Sequence, residues 1–364
     1  MSGRIVVRRV DGAFVLVNGE SDPYLSFCSN DYLGLSRHPA VRSAMVDGLS
    51  EGGVGACSSR RLAGYHPVHR QLEIELADFL GLSDAVLFSS GFLAVQGAVD
   101  SVECVVGSRR ARFVLDELAH ASGRDAAARS KLPVQTYRHL DAASLRSHLN
   151  DGAFDANVVM TDGVFSATGE IAPVGALASA ARESGATFVL DDAHGIGTIG
   201  KAGRGAMEVE RIERSGVDLL IGTLSKALGA FGGFVAGSDE AVNQVREYAR
   251  SYTYSTAPPP ALAQAALASL DIVRREAWRR DALADRINYF QGRARDLGVP
   301  VRASSTPIQI TNADERVGRA LARKRILARQ WPPSGSGLLR VGITLDHERE
   351  HLDRLLECLA ENPS

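Results

Sequence analysis

From residue 85 to residue 238 the chain alternates short apolar runs with amphipathic stretches, and that alternation leaves few architectures open. The runs are AVLFSS (85–90), RFVLD (112–116), VQTYRHL (134–140), NVVMTDGVF (157–165), TFVLDDAHG (187–195), DLLIGTLS (218–225) and GGFVAGS (232–238). Several are continuous in Val, Leu, Ile and Phe and bounded by Gly, Ser or Asp, as strands buried on both faces are. Between them, VGALASAARESG (174–185) and AASLRSHLND (142–151) space apolar residues three and four apart, which predicts helices. Strand–helix alternation predicts an α/β fold with a mostly parallel sheet covered by helices on both faces. Ligands of such sheets bind beyond the carboxyl ends of the strands, so the residues just after each run are where chemistry is sought.

Composition narrows the function classes. The 364 residues are 45% hydrophobic and 23% charged, enough for a large core and unlike a disordered chain. Lys and Arg total 41 against 43 Asp and Glu, so there is no basic excess to hold nucleic acid or an anionic membrane. No apolar run reaches the roughly 18–20 residues of a membrane span. The start, MSGRIVVRRVDG, lacks the long apolar segment of a signal peptide. Cys28, Cys57, Cys104 and Cys358 form no CxxC pair and no metal-ligand spacing, which predicts a reducing, cytoplasmic setting and no metal. The pattern changes at Pro258-Pro259-Pro260 and again after Gly298. It predicts an N-terminal segment (1–50) packed with a small domain, a large domain (51–257), and linking helices plus a smaller α+β domain (258–364).

Three segments stand out chemically. Lys226 follows an apolar run and sits among Ser225, Ala227, Gly229, Gly232 and Gly233, small neighbours that let a cofactor approach. A lysine in a partly dry setting can form a Schiff base, though a surface lysine after a strand reads the same way. Asp191 ends the run FVLD, where a carboxylate is costly unless a cation such as a protonated pyridine nitrogen meets it. Asp192 points to the opposite face if the strand continues, and His194 lies three beyond Asp191. A turn aspartate and a surface histidine are the plainer alternative. FSSGFLAVQG (88–97) is a strand, a Ser-Ser-Gly turn and a helix start, a way to aim backbone N–H groups at a phosphate. It matches neither the P-loop nor the dinucleotide glycine spacing. His120, Ser166 and Thr223 are further candidates, each commonly structural when alone.

The order of these pieces is more telling than any one of them. SNDYLGL (29–35), RLAGYHPVHRQLE (61–73), FSSGF (88–92), DELAHAS (116–122), DGVFSATGEIAP (162–173), LDDAHGIGTIG (190–200), GTLSKALGAFGG (222–233) and YSTAPPP (254–260) together resemble the α-oxoamine synthases. These are pyridoxal 5′-phosphate (PLP) enzymes of transferase fold type I, and the resemblance runs along nearly the whole chain. It implies a seven-stranded large domain, a homodimer with sites at the interface, and PLP as cofactor. It also implies that an amino acid condenses with an acyl thioester, losing carbon dioxide and free thiol to give an α-aminoketone. Position by position, Lys226 matches the cofactor-linking lysine and proton acceptor. Asp191 matches the partner of the ring nitrogen, His194 the contact to O3′, and His120 the residue that stacks on the ring. Gly91 and Phe92 match the phosphate turn, Thr223 the phosphate side, and Ser166 the O3′ edge. Ser255 and Thr256 match the segment reaching the neighbouring subunit's phosphate. Arg340 and Asn30 match the substrate-binding positions, Arg340 offering a planar fork for a carboxylate.

Some positions depart from the family pattern. Cys57 and Ser58 stand where Gly or Ala is usual, Val95 where Asn is usual, and Asp162 where Glu is common. The stretch ALARKRILARQWPPSGSG (320–337) abbreviates the C-terminal domain. These departures are expected near the substrates rather than the cofactor. The residues alone leave open a different amino acid substrate, another PLP reaction such as amino transfer, racemisation or aldol cleavage, and an inactive scaffold subunit.

Overall fold

Seven strands form one sheet in the order Asp84–Phe88, Gly233–Gly237, Leu219–Thr223, Thr187–Asp191, Ala156–Asp162, Ala111–Asp116, Val134–Tyr137. Each coincides with one of the seven apolar runs. In this computed structural model, which describes residues 5–107, 109–213, 216–331 and 337–363, every neighbouring pair is parallel except the two made by Gly233–Gly237. That strand returns antiparallel because the turn from Thr223 is too short for a crossover.

The helix Gly91–Val106 lays Ala94, Val95, Ala98, Val99 and Val102 onto the sheet face bearing Phe88, Phe113 and Val158. Burial of each such Val or Phe stabilises by roughly 1.5–3 kcal/mol. Val95 is 2% exposed and lies in this core. Its departure from the family pattern is therefore a packing feature, which corrects the expectation that it faces substrate. Helix starts follow capping chemistry: Ser90 accepts from Leu93 N, Asp141 from Ala143 N and Ser144 N, and Ser238 from Ala241 N. Proline opens Pro39–Gly52, Pro67–Leu80 and Pro260–Arg275, where its missing N–H costs nothing.

The chain divides into two compact units, and the division departs from the boundaries read in the sequence. The larger comprises residues 35–165 and 171–277, and the smaller the chain up to Gly34, Ser166–Glu170, and the chain from Trp278 onward. The helix Pro39–Gly52 joins the larger unit because it packs on Pro260–Arg275. A Cβ on Gly48 would come within 2.7 Å of the Ala261 Cα, so the two helix backbones nearly touch. That tertiary contact moves the N-terminal boundary from residue 50 to Gly34 and carries the helix after the triple proline into the larger unit.

The smaller unit has a four-stranded sheet, Val7–Asp11, Phe14–Val17, Tyr24–Ser26 and Ile326–Leu327, and an antiparallel one of Ile308–Asn312, Leu338–Gly342 and Arg329–Trp331. The helices Trp278–Asp296 and Arg349–Ala360 are clasped by Asp353, which accepts from Tyr289 Oη at 2.8 Å and Arg293 Nε at 3.0 Å. Part of the abbreviated stretch, residues 332–336, lies outside the described residues. Among the described residues no helix is long and apolar enough to cross a membrane, and no cluster of His, Cys, Asp or Glu suits a metal ion.

Candidate active site

Three adjacent strands of the large sheet end in aspartate: Asp116, Asp162 and Asp191. All three are buried. Asp116 is met by His139 Nδ1 at 2.8 Å and by the N–H groups of Leu118 and Leu140. Asp162 stands in direct register with Asp191 and accepts the N–H of His120 at 3.1 Å. Burial, with the Asp191 charge beside it, holds the Asp162 carboxyl well above the usual carboxylate range. Asp191 itself accepts the N–H of Ala193 at 3.1 Å.

Asp192 points to the other face, as strand alternation requires. Its carboxyl accepts the Ala206 N–H at 2.6 Å and is walled by Gly163, Gly195 and Gly205, where any Cβ would fall within 2.4 Å of a carboxyl oxygen. Complete burial pushes it up to about 8. Its place fixes the turn that carries His194, whose carbonyl in turn accepts the Thr198 hydroxyl at 2.7 Å.

Lys226 sits half-buried in the tight connection between Leu219–Thr223 and Gly233–Gly237. The turn is closed by Gly229 N–H to Lys226 O and Ala230 N–H to Leu224 O. The Lys226 charge reaches Asp162 and Asp192, lowering the proton affinity of both. On the far side of Gly233–Gly237, after the strand Asp84–Phe88, the helix Gly91–Val106 begins, capped by Ser90. A Cβ on Gly91 would come within 3.3 Å of Thr223 Oγ1, and one on Gly233 within 2.6 Å of Gly91 Cα. The turn is thus kept free of side chain where its N–H groups open. Thr223 Oγ1 is bonded to Ser225 Oγ and Gly232 O, which leaves Ser225 as the more exposed hydroxyl. An amine among small residues, a buried carboxylate at a strand end and an N–H cradle beside hydroxyls are the donor set that an aldehyde, a pyridine nitrogen and a phosphate ask for, so the residues present fit PLP.

The His120 ring is exposed while its anchor is buried. Its Nδ1 accepts from Ser122 N at 3.2 Å and lies 2.7 Å from Ser122 Oγ. Phe92 is 45% exposed beside Gly91. Ser255 and Thr256 are held elsewhere in the larger unit: Thr256 bridges to Ser59, and Ala257 N donates to Ser58 O.

In the smaller unit Arg340 projects from Leu338–Gly342 and donates through Nε to Ser166 O at 2.8 Å and through Nη2 to Asn30 Oδ1 at 3.2 Å. Tyr32, fully buried, donates to the same Asn30 oxygen at 3.1 Å and lies 3.4 Å from Arg340 Nη2. The structure thus brings Arg340, Asn30 and Ser166 together, with Ser166 contributing its carbonyl. Sequence reasoning missed Tyr32, Ser225 and the anchoring by Asp162. Tyr32 lay within SNDYLGL, but only the fold shows its hydroxyl meeting Asn30.

Residues 22–359 match the model of the aminotransferase class I and II family. An 8-amino-7-oxononanoate synthase of Pseudomonas paraeruginosa is 42% identical, over 99% of this chain and 90% of its own length. The chain belongs to the α-oxoamine synthases of that family. Solved members share the architecture. An 8-amino-7-oxononanoate synthase of Francisella tularensis superposes with a TM-score of 0.80 at 25% identity, covering 93% of this chain and 97% of its own. A high-resolution structure of SPT, serine palmitoyltransferase, with PLP gives 0.90 at 25% identity, covering 98% and 92%. An α-oxoamine synthase with this large sheet is a fold type I transferase.

Proposed function

We propose that this α-oxoamine synthase is a PLP-dependent C-acyltransferase that makes 8-amino-7-oxononanoate, the product its relatives are named for. That product dictates its precursors. Cutting the bond between C7 and C8 leaves a seven-carbon dicarboxylic acyl group and a two-carbon aminoethyl unit. The latter is alanine without its carboxyl group. Alanine and a heptanedioyl thioester therefore give the nine-carbon product, carbon dioxide and free thiol, with ten carbons on each side. The observation that carries the reading is Lys226 just after the strand Leu219–Thr223, whose neighbour ends in buried Asp191, with Gly91 of the cradle packed against Thr223 at that same strand end.

In this scheme Lys226 Nζ holds the cofactor and takes the proton from the amino acid Cα. Asp191 holds the ring nitrogen, and His194 the O3′ edge. Gly91, Phe92 and Thr223 take the phosphate, and His120 stacks on the ring. Bound PLP supplies an electron sink for the negative charge that develops at Cα. Arg340, oriented by Asn30, holds the substrate carboxylate with a guanidinium fork.

The enzyme works as a homodimer in which Ser255 and Thr256 reach the other subunit's phosphate. Val54, Leu62 and Tyr254 are each more than 80% exposed on segments tied together by the Ser59–Thr256 bridge, an apolar surface suited to a second copy. The free thiols of Cys28, Cys57, Cys104 and Cys358 fit the reducing cytoplasm.

The test is to incubate PLP-loaded protein with alanine and heptanedioyl-CoA or the heptanedioyl carrier-protein thioester. Free thiol and a nine-carbon aminoketo acid in equal amounts are expected. A keto acid without thiol release would mean amino transfer instead. Turnover confined to another amino acid would move the enzyme to a different α-aminoketone.

A further inference from the structure

The three strand-end aspartates are not equivalent. Asp116 is matched by His139, and Asp191 faces the cofactor ring in the reading above. Asp162 lies between them in the sheet, 5% exposed, and takes no part in that scheme. Its Oδ1 receives the His120 backbone N–H. Next in the chain, Ser122 fixes the His120 ring through Nδ1, so backbone and imidazole are both set before anything binds. The segment between Asp116 and His120 is a tight turn closed by Ala119 N–H to Asp116 O. Asp162 is the side chain that ties the far end of this turn to the sheet.

We propose that Asp162 is a positioning residue whose carboxyl, by accepting the His120 N–H, sets the His120 ring in the plane it takes against the cofactor. The inference rests on the PLP reading of the site. The chemistry favours a neutral anchor. A second carboxylate in register with Asp191 would compete for the cationic ring nitrogen and repel Asp191, whereas a protonated acid keeps its carbonyl oxygen for the His120 N–H. An amide of the same shape offers that oxygen as well, and a methyl group does not.

The experiment compares Asp162→Ala, Asp162→Asn and the parent as holoenzymes. The readouts are PLP dissociation by absorbance titration and visible circular dichroism of the bound cofactor, which reports the asymmetry around the ring. Loss of one such hydrogen bond corresponds to a weakening of about three- to tenfold. Asp162→Ala is expected to lose PLP affinity by that factor and change the dichroic band. Asp162→Asn is expected to recover most of both. The inference is overturned if Asp162→Ala matches the parent in both readouts, or if Asp162→Asn is as damaged as Asp162→Ala. Should Asp162→Ala not fold, Asp162→Leu replaces it: the volume is nearly kept but the acceptor for the His120 N–H is lost, and an unaltered dichroic band would overturn the inference. Failure of the parent itself to bind PLP would instead refute the proposed function.

Discussion

The carboxyl of Asp192 accepts the Ala206 N–H at 2.6 Å inside a pocket that Gly163, Gly195 and Gly205 keep free of side chains. It is the chain neighbour of Asp191, yet it serves the fold on the opposite face of the strand.

Asp192 should make stability depend on pH. Burial raises its folded value to about 8 from the ordinary 3.8, so the folded chain keeps a proton that the unfolded chain releases. Stability from this group is full below about 4 and is lost as pH rises toward about 8. Asp192→Asn removes the titration. The stability of the parent minus that of the variant, from urea unfolding, should fall by up to about 1.4 kcal/mol per pH unit across that window and level off above it. A difference that does not vary with pH contradicts the assignment.

Arg340 is partnered by neutral groups, Ser166 O, Asn30 Oδ1 and Tyr32 Oη, which orient the guanidinium without neutralising it. Arg340→Lys keeps the charge but loses the fork. KM for the amino acid should rise about 10- to 100-fold, with a smaller change in kcat. Equal KM in both proteins would show that another group holds the carboxylate.

Cys57 has φ of 57°, a left-handed conformation that costs a side-chain-bearing residue roughly 1–2 kcal/mol. Its thiol is exposed, donating weakly to Gly55 O at 3.4 Å. Cys57→Gly should relieve that strain, less the entropy glycine loses on folding, for a net gain of about 0.5–1 kcal/mol in the unfolding free energy. A loss of stability would mean the thiol has a packing role.

The large sheet was legible because parallel strands buried on both faces must be apolar along their length. The edges of the molecule were not. Val7–Asp11 reads VRRVD, an exposed strand with no such run, and it went unseen. The unit boundary depends on Gly48 meeting Ala261, residues more than 200 positions apart that carry no local signal. Lys226, Asp191, His194 and His120 could be named because their motifs occur in family order, and the structure places all four in the larger unit. Asp162 was noted as a departure, but its bond to His120 joins two strand ends 42 positions apart, which spacing alone does not reveal. Val95 shows the reverse: a residue expected near substrate proved to be core.

The central claim is that Lys226 carries the cofactor. The direct measurement is to reduce the PLP-loaded protein with borohydride, digest it and map the pyridoxyl mass by mass spectrometry. The chain has four lysines, at 131, 201, 226 and 324, so the readout is unambiguous. The account predicts the label on the peptide containing Lys226, at about one per subunit, and none there in Lys226→Ala. A label on Lys131, Lys201 or Lys324 at that stoichiometry, or no label on protein that still turns over, would contradict it.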